Sequence, residues 1–64
     1  MSEDYILLSD LFLSRKETLL VIAERKAEGF KYLLHRGEVT LDKGDVQVRI
    51  QRWDESKYVV RTFG

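Results

Sequence analysis

The apolar positions follow a helical spacing after Ser14 and a spacing of two after Gly37. Ser14-Arg15-Lys16-Glu17 has the spacing of a capping box. In that motif a Ser hydroxyl and a Glu carboxylate three residues on satisfy two amide donors left open at a helix start. Leu19, Ala23, Ala27, Phe30 and Leu34 then recur on one side of a helical projection. His35 and Arg36 complement the negative end of a helix dipole, and Gly37 offers the left-handed residue that commonly ends a helix. The spacing therefore predicts one long helix from Ser14 to Gly37.

Beyond it, Glu38 to Leu41, Asp45 to Trp53 and Lys57 to Phe63 are rich in Val, Ile, Tyr, Phe and Thr and read as strands. Asp42-Lys43-Gly44-Asp45 and Asp54-Glu55-Ser56 are polar links short enough to make the strands antiparallel neighbours. Pairing Leu41 with Val46 and Trp53 with Lys57 sets Ile50 against Val60 and Arg49 against Arg61. Alternation then gathers Val39, Leu41, Val46, Val48, Ile50, Tyr58 and Val60 on one face, toward the helix. The opposite face carries Thr40, Gln47, Arg49, Gln51, Trp53, Lys57, Val59, Arg61 and Phe63, with Glu38 beside Arg49.

The predicted helix has more apolar surface than one sheet covers. At about 100° per residue, Ile22 and Leu33 fall at a margin of the stripe, with Gly29 just beyond and Tyr32 on the far side. Either the N-terminal segment folds back over this margin, or two helices meet there in a homodimer with Gly29 allowing close approach. Gly29 also fits a simple kink. The N-terminal segment holds Tyr5-Ile6-Leu7-Leu8 and Leu11-Phe12-Leu13 around Ser9 and Asp10. It is expected to form a short helix capped by Ser2, with Glu3 and Asp4 in its first turn, although Tyr5 to Leu8 also fits an edge strand.

Sixty-four residues make one domain, 1–64, and a chain this short buries only about 60% of the surface its unfolded form exposes. Small folds compensate with disulfides, metals or association. With no Cys and a single His, association is the supplement expected here. Eleven basic and eleven acidic side chains cancel, and neither half of the chain is a basic tail, so composition builds in no long-range pull on nucleic acid. The acidic start and the short, interrupted apolar block resemble neither a secretion signal nor a membrane span, so the expected location is cytoplasmic, with no membrane partner.

Chemistry finds little to hold. His35 is the sole imidazole, and no His/Cys/Asp/Glu grouping has metal-ligand spacing. Asp42 and Asp45 lack the further oxygen ligands that calcium needs. Ser14 is explained by capping, and no Gly-rich phosphate loop is present. No enzyme activity and no cofactor are expected.

Leu34-His35-Arg36-Gly37-Glu38-Val39-Thr40-Leu41, followed by Gly44 and Val46, resembles the hairpin of S4-type RNA-binding domains, with a glycine spacing one residue longer. Leu41-Asp42-Lys43-Gly44-Asp45-Val46, with Val60-Arg61 downstream, is similar to a stretch of the tryptophan-activated RNA-binding attenuation proteins. Both stretches coincide with a common hairpin turn, and neither is taken as membership.

The expected fold is thus α+β: a short N-terminal element, one long helix and a three-stranded antiparallel meander packed on it. The expected role is a small regulatory or inhibitory protein that binds another protein or itself, as free-standing short chains of phage and other mobile elements often do. Arg49, Trp53, Val59, Arg61 and Phe63 are the candidate partner-binding residues, since Trp and Arg dominate binding hot spots. Ile22, Tyr32 and Leu33 are the candidates for a dimer. The alternative is RNA or DNA binding by Arg49, Arg52, Lys57 and Arg61, with bases stacked on exposed aromatics.

Overall fold

The computed structural model of the protein describes residues 5–64, and there the helix is shorter and the sheet larger than the pattern predicts. The elements are β1 (Leu7–Leu13), α1 (Arg15–Ala27), β2 (Lys31–His35), β3 (Glu38–Asp42), β4 (Gln47–Arg52) and β5 (Tyr58–Phe63). They form one sheet of order β1-β5-β4-β3-β2, antiparallel at every step. The expected three-stranded meander is its centre, and β1 and β2 are added at the two edges. Those edge strands point the same way, and α1 carries the chain between them.

The helix begins as its sequence predicts. Ser14 Oγ accepts from the Glu17 amide at 3.2 Å, and the Ser14 amide donates to Glu17 Oε1 at 3.0 Å. It ends ten residues before Gly37, at Ala27, because Gly29 takes a φ of 102° and turns the chain out. The Gly29 amide then donates to the Lys26 carbonyl and the Phe30 amide to the Arg25 carbonyl, both at 3.1 Å. That bond pair is the Schellman arrangement, which satisfies the last helix carbonyls. Gly29 is thus a stop, not a kink or a point of close helix approach.

Released from the helix, Lys31–His35 pairs with β3, and His35 faces Glu38 across a two-residue turn. Arg36 (φ 53°) and Gly37 (φ 78°) both take positive φ, as a type I′ turn requires. His35 and Arg36 therefore end a strand and open a turn; they do not complement a helix dipole. The N-terminal segment is likewise strand, not helix. Leu7–Leu13 pairs with β5, with an irregularity between Leu7 and Ser9. The expected cap at Ser2 with Glu3 and Asp4 lies outside the described residues.

The sheet faces follow the expected alternation, although the β3–β4 register is shifted by two: Leu41 pairs with Val48 and Val39 with Ile50. A shift of two preserves the face of every side chain. The β4–β5 register sets Ile50 against Val60 and Arg49 against Arg61, as the loop length implies. Leu41, Val48, Ile50 and Val60 are the buried centre, with Leu13, Val21, Ile22, Phe30, Val39 and Tyr58 packed on it. The inward side of the helix is not the expected stripe. α1 turns Thr18, Val21 and Ile22 inward, while Leu19, Ala23, Ala27 and the strand residue Leu34 are exposed.

Candidate apolar groove and sheet edges

The helix packs on β1, β3 and β5, and β2 extends the sheet past it. This leaves a groove of about 460 Å³ on the helix side. Val39, Ile50 and Tyr58 form its floor, Leu19 and Ile22 line the α1 wall, and Tyr32 and Leu34 line the β2 wall. Leu34 is 64% exposed and Leu19 54%, so both project apolar surface into solvent. The charged residues of the lining are Arg15 and Arg52. The Lys26 ammonium sits over the Tyr32 ring, 5.1 Å from its centroid. The groove is mostly apolar, edged with positive charge, and of a size usual for binding clefts.

Thr18 also lines the groove, is only 3% exposed, and its Oγ1 has no hydrogen-bond partner among the described residues. A buried hydroxyl without a partner costs about 1–3 kcal/mol, whereas an apolar group of the same shape does not. Thr18→Val is therefore expected to raise the unfolding free energy by about 1 kcal/mol. Urea unfolding followed by circular dichroism checks this; a variant less stable than the parent would show that the hydroxyl is satisfied in solution.

The outer face is less open than its composition suggests. Val59 is buried, covered along its row by Phe12, its register partner on β1. Trp53 stands opposite Lys57, its amide donating to the Lys57 carbonyl at 2.9 Å; its ring meets the Phe12 ring edge-on at 5.1 Å and keeps 60% of its surface exposed. The Arg49 guanidinium lies 5.5 Å from the Phe63 ring centroid, and its Nε donates to Gln47 Oε1 at 2.8 Å. Arg61 pairs with Asp10 at 3.5 Å, so the carboxylate beside it comes from β1 and not from Glu38. A small hollow of about 150 Å³ remains between Glu38, Arg49, Arg61 and Phe63. Arg52, opposite Tyr58 in the register, belongs to the helix-side groove, so Arg49, Arg52, Lys57 and Arg61 do not share one face.

The dimer candidates separate similarly. Ile22 is half-buried against the core, Tyr32 stands on the groove rim, and Leu33 is on the outer face of β2, 58% exposed. Both edge strands carry apolar side chains, but β1 has its irregularity at Leu7/Ser9 and Asp10 within it. β2 has no irregularity, its one charged residue, Lys31, is its first, and all five of its residues are exposed. Sequence reasoning missed β2 as an edge; the Gly29 stop and the Arg36-Gly37 turn are the signals that mark it.

Two carboxylates tie loops to elements. The Ser14 amide and hydroxyl hold Glu17 below the usual glutamate range. The amides of Ser56 and Lys57 donate to Asp54 Oδ1 at 2.8 and 2.9 Å in the β4–β5 link, and the Ser56 amide above all holds its carboxyl below the usual aspartate range. Lowered folded-state values mean that both stabilise the fold fully above the ordinary carboxylate range and lose this effect as pH falls through the lowered values. Melting temperatures measured from neutral pH downward are expected to fall through this acidic window, and less steeply in Glu17→Gln and Asp54→Asn. An unchanged slope in both variants would contradict it.

Among the described residues no group of three or more His, Cys, Asp or Glu side chains is placed to hold a metal ion. No helix among them is long and apolar enough to cross a membrane. Comparison of the chain with protein-family models, with curated proteins and with solved structures finds no match.

Proposed function

We propose that the protein is a small binding or regulatory protein that acts by protein–protein association, with no catalytic role of its own. The observation that carries this is the groove between α1 and β2, where Leu19, Tyr32 and Leu34 are held in the open beside a floor of Val39 and Ile50. Contiguous exposed apolar surface of this kind marks association sites. The groove supports the proposal better than the outer face does, because Val59 is buried there and Arg49 and Arg61 are engaged within the chain. With Arg49, Arg52, Lys57 and Arg61 divided between faces, the groove also favours a protein over a nucleic acid.

The test is capture from lysate on the immobilised protein, with nuclease, at low and at high salt, alongside a Leu19→Asp/Leu34→Asp double variant. Both side chains are exposed, so the double variant is expected to fold. Retention of protein that survives nuclease and salt but is lost in the variant is the expected result. Retention that disappears with nuclease and falls steeply with salt, through counterion release, would replace this proposal with nucleic-acid binding.

A further inference from the structure

From the hydrogen-bonding parity of its free edge, we infer that β2 pairs with β2 of a second copy about a two-fold axis, Leu33 facing the partner's Leu33. The inference rests on the association proposed above and names its occupant. In a two-residue hairpin the residues flanking the turn exchange both backbone hydrogen bonds. His35 and Glu38 flank this one, so His35, Leu33 and Lys31 direct their amides and carbonyls to β3. Tyr32 and Leu34 direct theirs outward, where no strand lies among the described residues.

Only registers that set these outward residues against each other satisfy the edge. The one centred on Leu33 uses every outward group, because Tyr32 of each copy exchanges bonds with Leu34 of the other. Registers centred on Tyr32 or Leu34 leave some outward groups without partners.

That register is also self-complementary in side chains, as a two-fold interface must be. Tyr32 meets Leu34 on the helix side, both at the groove rim, so the second copy extends the groove wall with apolar surface. Leu33 meets Leu33 on the outer face as a close, non-hydrogen-bonded pair. β2 carries little that blunts a free edge: the chain has no Pro, the strand has no bulge, and its one charged residue, Lys31, stands at its first position. A formal net charge of zero adds no repulsion between copies.

The chain has no Cys, so one introduced thiol reports one geometry. A non-hydrogen-bonded pair brings Cα atoms to about 4.5 Å, within disulfide reach. Under mild oxidation Leu33→Cys is expected to cross-link about 100-fold faster than Leu20→Cys, an exposed helix position, because pairing raises the local thiol concentration from micromolar toward millimolar. Adding Leu34→Pro removes an outward amide without touching the β2–β3 ladder, and should return Leu33→Cys to the control rate while circular dichroism shows the fold intact. Equal rates for Leu33→Cys and Leu20→Cys, or fast cross-linking that persists with Leu34→Pro, would overturn the inference. If rates are equal while Leu19→Asp/Leu34→Asp still abolishes protein capture, association stands and its partner is a different protein.

Discussion

Leu41→Ala is expected to lower the unfolding free energy by about 3–4 kcal/mol, near the middle of the range for Leu-to-Ala changes in protein cores. Leu41 is fully buried, at the centre of the cluster with Val48, Ile50 and Val60, and β3 is held on both sides by β2 and β4. Flanked by strands, that site can collapse little around the lost atoms, so a cavity is left. A chain of this length is expected to have a total stability of roughly 3–10 kcal/mol. The loss is a large share of that, and the variant should be substantially unfolded at its lower end. Urea unfolding followed by circular dichroism reads the change directly, with Leu20→Ala on the exposed helix surface as a control expected within about 0.5 kcal/mol of the parent. A cost below about 1 kcal/mol for Leu41→Ala would mean that the core is centred elsewhere.

Leu33→Lys is expected to raise the dimer dissociation constant about 30-fold or more, taking the loss of a central anchor as about 2 kcal/mol or more and each factor of ten as 1.4 kcal/mol. The substitution removes apolar contact from both copies at once, because Leu33 lies on the two-fold axis. It also sets two ammonium groups against each other, between Lys31 and its counterpart on the partner. Within one chain Leu33 is exposed on the outer face of an edge strand, so the fold itself should change little. Sedimentation velocity across a dilution series checks this. A variant that dimerises as well as the parent would place the interface away from β2.

The parts of this fold that the sequence made legible are those where a local rule and the packing agree. Ser14 and Glu17 announce the helix start by chemistry that needs no tertiary context. β3, β4 and β5 turn one face to the core, so their alternation shows, and Val39, Leu41, Val48, Ile50, Tyr58 and Val60 sort to the inner face. The edge strands carry no such signal. β2 is exposed on both faces and β1 mostly so, so burial sorts neither strand into an inner and an outer face, and apolar residues at successive positions mask a period of two. Phe30 and Leu34 also fall at helical spacing from Ala23 and Ala27, which hides the stop at Gly29.

The helix orientation was illegible for a related reason. Its inward side includes Thr18 and the half-buried Arg25, while Leu19, Leu20 and Ala23 face outward. A pattern reading assigns the apolar residues to the core, whereas here part of the apolar set belongs to the groove. The site followed the same course: Tyr32 and Leu33 stand out in the sequence, but as residues on opposite sides of a helix stripe and not as successive residues of a free strand.

Sedimentation equilibrium of the unaltered protein over a wide concentration range, at low and at high salt, tests the central claim most directly. Backbone pairing and apolar contact are little screened by ions, so a dimer that persists at both salts is expected. A monomer throughout, or a dimer that dissolves as salt rises, would contradict pairing through β2.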